Sequence, residues 1–355
     1  MTMFATAMSP RVSVLVSAYR RLDYLNEALR SVADQASSSG FEILLTIGRD
    51  DYVPPQSVLS CLSERSIPLR IIRLGDEKMG AAIARAATEA TGDVLAILDD
   101  DDTWRPGKLQ RVEEVFGEHP EVRLFHDSEE FVDAQGHPLS WLNAHRVVRH
   151  PASLRPKGRS MIADAWNAKT FDSILAYEPS FCNSSFAISR SLLLGALPEL
   201  RALRGGEDSF LFLLGAARGR WLYLTSDRLT RYRIHRTGAT AAAPDQKPSS
   251  AQDSYLRFVQ ERHLNQNQIL SGLLPANAPP HLEVWIERDH AVWVTLYRAA
   301  GGDPRSKLHG TIRSLVSSDP LKPQPRDLAC AALAWCSLCA RGAVSRLFLA
   351  SRRIG

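Results

Sequence analysis

The feature that most constrains this chain is an apolar run that stops abruptly on four carboxylates. Val94, Leu95, Ala96, Ile97 and Leu98 follow Gly92 and Asp93 and lead directly into Asp99, Asp100, Asp101 and Asp102. A short apolar run bounded by Gly reads as a buried parallel strand. Four adjacent carboxylates repel one another, which is costly at a strand end unless a cation or a network of donors offsets it. Hard divalent cations take oxygen ligands, often one or two carboxylates together with substrate phosphates. The run therefore reads as a metal and phosphate site at the carboxyl end of a sheet strand, where open α/β sheets place their ligands. The plainer alternative is an acidic turn.

The rest of the first half of the chain fits such a sheet. Arg11 to Ala18 is β-branched and apolar, and Tyr24, Leu25, Ala28, Leu29 and Val32 then recur at helical spacing. Phe41 to Ile47 reads as a second strand, Val58 to Arg65 as a short helix and Leu69 to Leu74 as a third strand. A helix opens at Gly80 and stops at Gly92, and after the acidic run another extends to about Phe116. Val122 to His126 reads as a strand. The alternation predicts an α/β fold with a doubly wound, mostly parallel sheet and right-handed crossovers. Further on, Asn183 to Arg190 reads as a strand leaving a polar turn, and Leu192 to Leu203 as helix and loop. Gly205-Gly206-Glu207-Asp208 opens an apolar helix from Ser209 to Ala217. Taken alone, Asp208 there is a helix cap. Trp221 to Leu224 and Leu229 to Ile234 read as two strands, the second ending at His235.

Composition changes near residue 245, where Pro244, Pro248, Ser249 and Ser250 mark a linker. The expected organisation is a main domain over 1–245 and a helical extension over 246–355, with helical periodicity in Ser254 to Leu270 and Leu282 to Ala299. Leu328 to Leu349 is rich in Ala, Leu and Cys, and Arg352-Arg353 follow it. That segment reads either as a helix docked on the body or as an interfacial helix at a membrane surface, with residues 327–355 as the contact. Ala134 to Ala163 lacks any acidic residue and holds five Lys or Arg. It is a solvated basic loop or a site for an anionic acceptor.

Several classes are excluded or disfavoured. A net charge of +4 is too small to argue for nucleic acid. Five scattered Cys do not form a disulfide framework, which favours a reducing cytoplasm, and Cys336 and Cys339 lack a second ligand pair for zinc. The N-terminus shows no signal-peptide pattern, and no apolar run reaches the roughly 18 residues of a spanning helix. No G-x-G-x-x-G follows the first strand, against a dinucleotide-dependent dehydrogenase.

Four segments in order resemble the family 2 glycosyltransferases of GT-A fold. The first is VSVLVSAYRRLDYLNEALRSVADQ. The second, GAAIARAATEATGDVLAILDDDDTWRPGKL, carries Gly80, Arg85, Gly92, Asp99, Asp101, Asp102, Trp104, Pro106, Lys108 and Leu109. The third is Gly206-Glu207-Asp208 and the fourth Tyr232-Arg233-Ile234-His235. Together they span residues 11 to 240, about two-thirds of the chain. The chain departs from the family pattern at the end of the second strand, where Gly48-Arg49 stand and Asp50 and Asp51 are displaced. Ala86 follows Arg85 where an Asn is common, and Arg20 follows Tyr19.

The resemblance implies inverting transfer of a sugar from a nucleotide-diphosphate donor, UDP-linked first among the options, to a hydroxyl acceptor such as a saccharide or lipid-linked glycan. It implies Mn²⁺ or Mg²⁺ on Asp101 with His235. Ala18, Tyr19, Arg85, Asp99 and Asp100 would contact the donor, and Asp208 would be the general base. Glu207, Asn183 and Trp104 would lie toward the acceptor. The expected location is the cytoplasm, at the inner face of the membrane where residues 327–355 touch it. The alternatives are a sugar-nucleotide binding protein without catalysis and a nucleotidyltransferase. The second should show a Gly-rich, basic phosphate loop after the first strand, which Ser17-Ala18-Tyr19-Arg20 lacks.

Overall fold

The computed structural model describes residues 11–18, 22, 24–48, 52–75, 77–139, 160–175, 179–235 and 266–299. Tyr19, Asp50, Asp51, most of the acid-free interval, the linker near 245, Cys336, Cys339 and the segment 327–355 lie outside those residues.

Four strands form the parallel half of one sheet: β1 (Val12–Ala18), β2 (Phe41–Ile47), β3 (Leu69–Arg73) and β4 (Val94–Asp99). The sheet continues through β5 (Thr103–Trp104), β6 (Leu124–Val132), β7 (Ser160–Asp164), β8 (Phe186–Ser189) and β9 (Trp221–Arg233). Its order is β3-β2-β1-β4-β8-β6-β9-β5, with β7 also paired to β9. β1 pairs in parallel with both β2 and β4, and β3 joins β2 in parallel. β8 lies antiparallel between β4 and β6, whereas β6 and β9 run parallel.

Alternate residues of the parallel strands enter two separate cores, as a sheet covered on both faces requires. Val12, Val14, Val16, Ile43, Leu45, Ala96 and Leu98 pack under α1 (Leu25–Ala33), α2 (Gln56–Glu64) and α4 (Lys108–Glu118). Leu15, Leu44, Ile72, Leu95 and Ile97 face the other side. There they meet α3 (Met79–Glu89) and the later helices α6 (Arg190–Leu194), α7 (Leu197–Ala202) and α8 (Glu207–Leu214). α5 (Ala168–Leu175) adds Phe171 and Ile174 to that core. The same core takes Leu270 of α9 (Asn267–Ser271), Leu273 beyond it, and Leu282, Trp285 and Ile286 of α10 (Pro280–Ala299). Trp285 meets Phe212 of α8 edge-on at 5.4 Å between ring centroids. No described helix is long and apolar enough to cross a membrane.

Two expectations change. The strands expected at Trp221 to Leu224 and Leu229 to Ile234 are one strand, β9, which bulges between Leu224 and Thr230 opposite His126–Glu129 of β6 and then resumes its pairing. The helix expected to run to Ala217 closes at Leu214 and continues as a π turn over Gly215–Gly219.

The glycine that opens α3 shows how closely the layers meet. A Cβ on Gly80 would lie 2.3 Å from the Leu200 carbonyl oxygen and 3.2 Å from the Leu203 Cβ. Gly80→Ala should therefore push α7 off α3 and cost about 1–3 kcal/mol, the usual range for an overpacked core. Urea unfolding measures it, and a variant as stable as the wild type would contradict the packing.

Candidate active site

The acidic run sits where the sequence placed it, at the carboxyl end of β4, with Asp99 beside Ser17 of β1. Asp99, Asp101 and Asp102 each offer a carboxylate oxygen, and these oxygens lie within 4.8 Å of one another. Oxygen donors crowded this closely fit a hard divalent cation. His235, at the end of β9, approaches Asp101 with Nε2 3.0 Å from Oδ2. Its imidazole is 2% exposed, and the Tyr24 ring meets it edge-on at 4.7 Å. A carboxylate and an imidazole in this relation are a mixed O/N ligand pair.

The turn bearing the aspartates is held from three sides. Asp102 is 2% exposed and accepts the Ser184 hydroxyl at 2.6 Å and the Arg233 backbone N–H at 2.9 Å. The Cys182 thiol lies 3.7 Å from the same carboxylate. Burial, and next to it the Asp102 charge, pushes that thiol well above its usual pKa, so it stays protonated and donates. Arg233, itself 4% exposed, donates Nε to the Asp101 carbonyl at 2.9 Å and Nη2 to Glu27 at 2.5 Å. Its guanidinium carbon stands 4.5 Å from the Tyr24 ring centroid. One cation thus ties the first turn of α1, the acidic turn and the end of β9 together, and partly offsets the crowded carboxylates.

The remaining predicted residues divide. Ala18 ends β1 and lines a recess with Ser17, Gly48, Leu74, Glu77 and Met79, at the carboxyl ends of β1 to β3 and the start of α3. Asn183 places Nδ2 3.5 Å from Asp99, and its Oδ1 is buried without a hydrogen-bond partner. Asp208 is the second residue of α8 and accepts the Ser209 N–H at 2.8 Å. Glu207 beside it is 3% exposed. The N-cap before them, Gly206, has φ +77°, and a Cβ there would lie 2.2 Å from Gln266 Oε1. A left-handed, side-chain-free residue is needed at that point.

Three further expected residues are placed as follows. Asp100 is fully buried and is not among the three carboxylates whose oxygens cluster. Trp104 is 3% exposed and donates its indole N–H to the Ser184 carbonyl at 2.9 Å; it supports a neighbouring turn and offers no face to an acceptor. Arg85 pairs with Glu89 one helical turn further on, 3.1 Å away, and its side chain stays exposed. Sequence reading quoted Arg233 and Lys108 without a role and passed over Ser184. The signal for Arg233 was its place between Tyr232 and His235.

Comparison with known proteins agrees with this geometry. The Glycosyl transferase family 2 model matches residues 13–164. An uncharacterized glycosyltransferase of Nostoc sp. is 33% identical over 117 residues, 33% of this chain and 36% of that protein. TuaG of Bacillus subtilis, whose name links it to teichuronic acid biosynthesis, is 31% identical over 108 residues, 30% of this chain and 42% of its own length. The chain thus spans less than half the length of the curated relatives it matches. Crystal structures of residues 1–349 of TarS from S. aureus share the fold at 14% identity. The TM-score is 0.56 with 94% of this chain and 92% of that one covered. In the complex with UDP-GlcNAc it is 0.52, with 93% and 91% covered. Residues 13–164, on a sheet of the fold shared with TarS, thus match the glycosyl transferase family 2 model.

Proposed function

We propose that the chain transfers a glycosyl group from a nucleotide-diphosphate sugar to a hydroxyl acceptor with inversion at the anomeric carbon. The observation that carries this reading is the set of three carboxylates at the end of β4, within 4.8 Å of one another and joined by His235. Asp99 and Asp101, with His235, are the residues that would hold Mn²⁺ or Mg²⁺. Bound there, a divalent cation supplies positive charge against the departing diphosphate. Asp102 keeps its hydrogen bonds to Ser184 and Arg233 and fixes the turn. The recess at Ala18, with Tyr19 following it in sequence, would take the nucleotide.

Asp208 is the proposed general base. It takes the proton of the acceptor hydroxyl as that oxygen bonds to the anomeric carbon; the anomeric carbon–phosphate oxygen bond breaks, and the diphosphate leaves with the electron pair. Support for a saccharide acceptor comes from the name of TuaG, and support for a UDP-linked donor from the TarS complex, each a statement about those proteins. The catalytic unit would comprise residues 1–245, with 246–355 as its helical extension.

The test is a panel of UDP- and GDP-sugars assayed for nucleoside diphosphate release with Mn²⁺, with EDTA, and with Mn²⁺ restored. One donor should be turned over, lost with EDTA and regained with metal. A donor that binds but is never cleaved, with saccharide acceptors present, would make this a binding protein. A product of retained anomeric configuration by NMR would refute inversion.

A further inference from the structure

The acidic turn is built on a second turn that comes from a distant part of the chain. Residues Asn183–Ser185 form one turn of 3-10 helix just before β8, entered through Cys182 at φ +68°. A left-handed conformation is uncommon for a non-glycine residue and persists only where surroundings over-determine it. The carbonyls of the turn are gathered by Lys108, the first residue of α4. Its side chain is fully buried, and Nζ lies 3.3 and 3.2 Å from the carbonyls of Ser184 and Ser185. The ammonium also reaches Asp127 Oδ1 at 2.5 Å and Thr230 Oγ1 at 3.3 Å. The Ser184 carbonyl additionally accepts the Trp104 indole N–H and the Thr230 hydroxyl.

On its other side the turn meets the acidic run. The Ser184 hydroxyl donates to Asp102 at 2.6 Å and accepts the Asp99 N–H at 3.1 Å, while the Asn183 amide sits against Asp99. A buried ammonium is costly unless paired and hydrogen-bonded, and here all of its bonds go to the scaffold of this turn and its neighbours in β6 and β9.

Resting on the proposed metal-dependent reaction, we infer that Lys108 is a positioning residue for the cation site, acting through Ser184. The ammonium locks the backbone of the Asn183–Ser185 turn. That turn then sets the spacing between Asp99 and Asp102 before any ligand arrives. Partners that orient metal ligands in this way typically change metal affinity by about 10–100-fold when removed.

The test is Mn²⁺ affinity, read from the electron paramagnetic resonance signal of free Mn²⁺ during titration of the full chain, with unfolding measured in parallel. Two variants probe the relay: Ser184→Ala, and Lys108→Met combined with Asp127→Asn so that no buried charge is left alone. Each should weaken Mn²⁺ binding about tenfold or more. Thr91→Val, which breaks the bond from Thr91 to Glu42 at the opposite end of the sheet, should lower stability and leave Mn²⁺ affinity unchanged. Wild-type affinity in folded forms of both relay variants would overturn the inference. If the double variant does not fold, wild-type affinity in Ser184→Ala alone overturns it. If the wild type and Asp101→Asn bind Mn²⁺ equally, the acidic turn is not a cation site, and the proposed metal dependence falls together with this inference.

Discussion

Asp101→Asn is expected to abolish Mn²⁺-dependent binding of the nucleotide diphosphate while leaving the fold intact. The substitution keeps the volume of the side chain and removes only its charge. The backbone carbonyl of Asp101 still accepts Arg233 Nε, so the turn keeps one of its main anchors. What is lost is the carboxylate that pairs with His235 at 3.0 Å. Two unit charges 4 Å apart at an effective dielectric near 20 interact by about 4 kcal/mol. A divalent ion that loses one carboxylate ligand therefore forfeits several kcal/mol, and each 1.4 kcal/mol is roughly tenfold in affinity. The expected drop is about 100-fold or more in metal-dependent affinity for the diphosphate, measured by calorimetric titration with and without Mn²⁺. Binding within threefold of wild type would remove Asp101 from the ligand set.

The parallel half of the sheet was legible because its signal is local. Apolar residues of β1, β2 and β4 form continuous runs that fill both faces, and Gly, Asp and Ser punctuate them. The acidic turn was legible for the same reason, since four adjacent carboxylates need an explanation wherever they lie. Residues whose role depends on contacts distant in sequence were not. Lys108 reads as an ordinary helix-opening cation, and nothing local shows that its partners are Asp127, Ser184 and Thr230. Trp104 next to the aspartates suggested a surface for an acceptor, yet its indole N–H is spent on a carbonyl 80 residues away. Arg85 pairs with a Glu four residues on, a contact that i,i+4 spacing does predict. The polar stretch Thr225 to Arg228 separates two strands by pattern, yet β9 passes through it as a bulge opposite Asp127 of β6, which only the long-range pairing reveals. The composition change near residue 245 is real, but it does not reveal that Leu270, Leu282 and Trp285 fill the core beneath α8.

That core bears on Asp208, for which the largest loss of turnover is expected. The residue occupies the second position of α8, which is buried all round from Ser209 to Leu214, so the helix start has little freedom to shift. Gly206 before it leaves no space for a side chain beside Gln266. The Asp208 carboxylate accepts the Ser209 N–H through Oδ1. An Asn amide oxygen can accept the same bond, and at this position, inside the Gly206 N-cap, only the carboxylate's favourable charge in the first turn is lost. Asp208→Asn should therefore cost less than about 1 kcal/mol of stability. The amide has no basic oxygen comparable to a carboxylate and cannot take the proton of an acceptor hydroxyl. If Asp208 is the base, kcat should fall by about 10²–10⁴-fold, with the KM for the donor little changed, since in the proposed reaction the donor diphosphate would be held at the β4 turn. Donor binding by calorimetry, stability by thermal unfolding and transfer to a saccharide acceptor together separate the roles. A variant that unfolds early but turns over normally once folded marks a cap. Normal stability with turnover within a few-fold of wild type would leave the proton to be accepted elsewhere, with Glu207, 3% exposed in the same helical turn, as the next carboxylate to substitute.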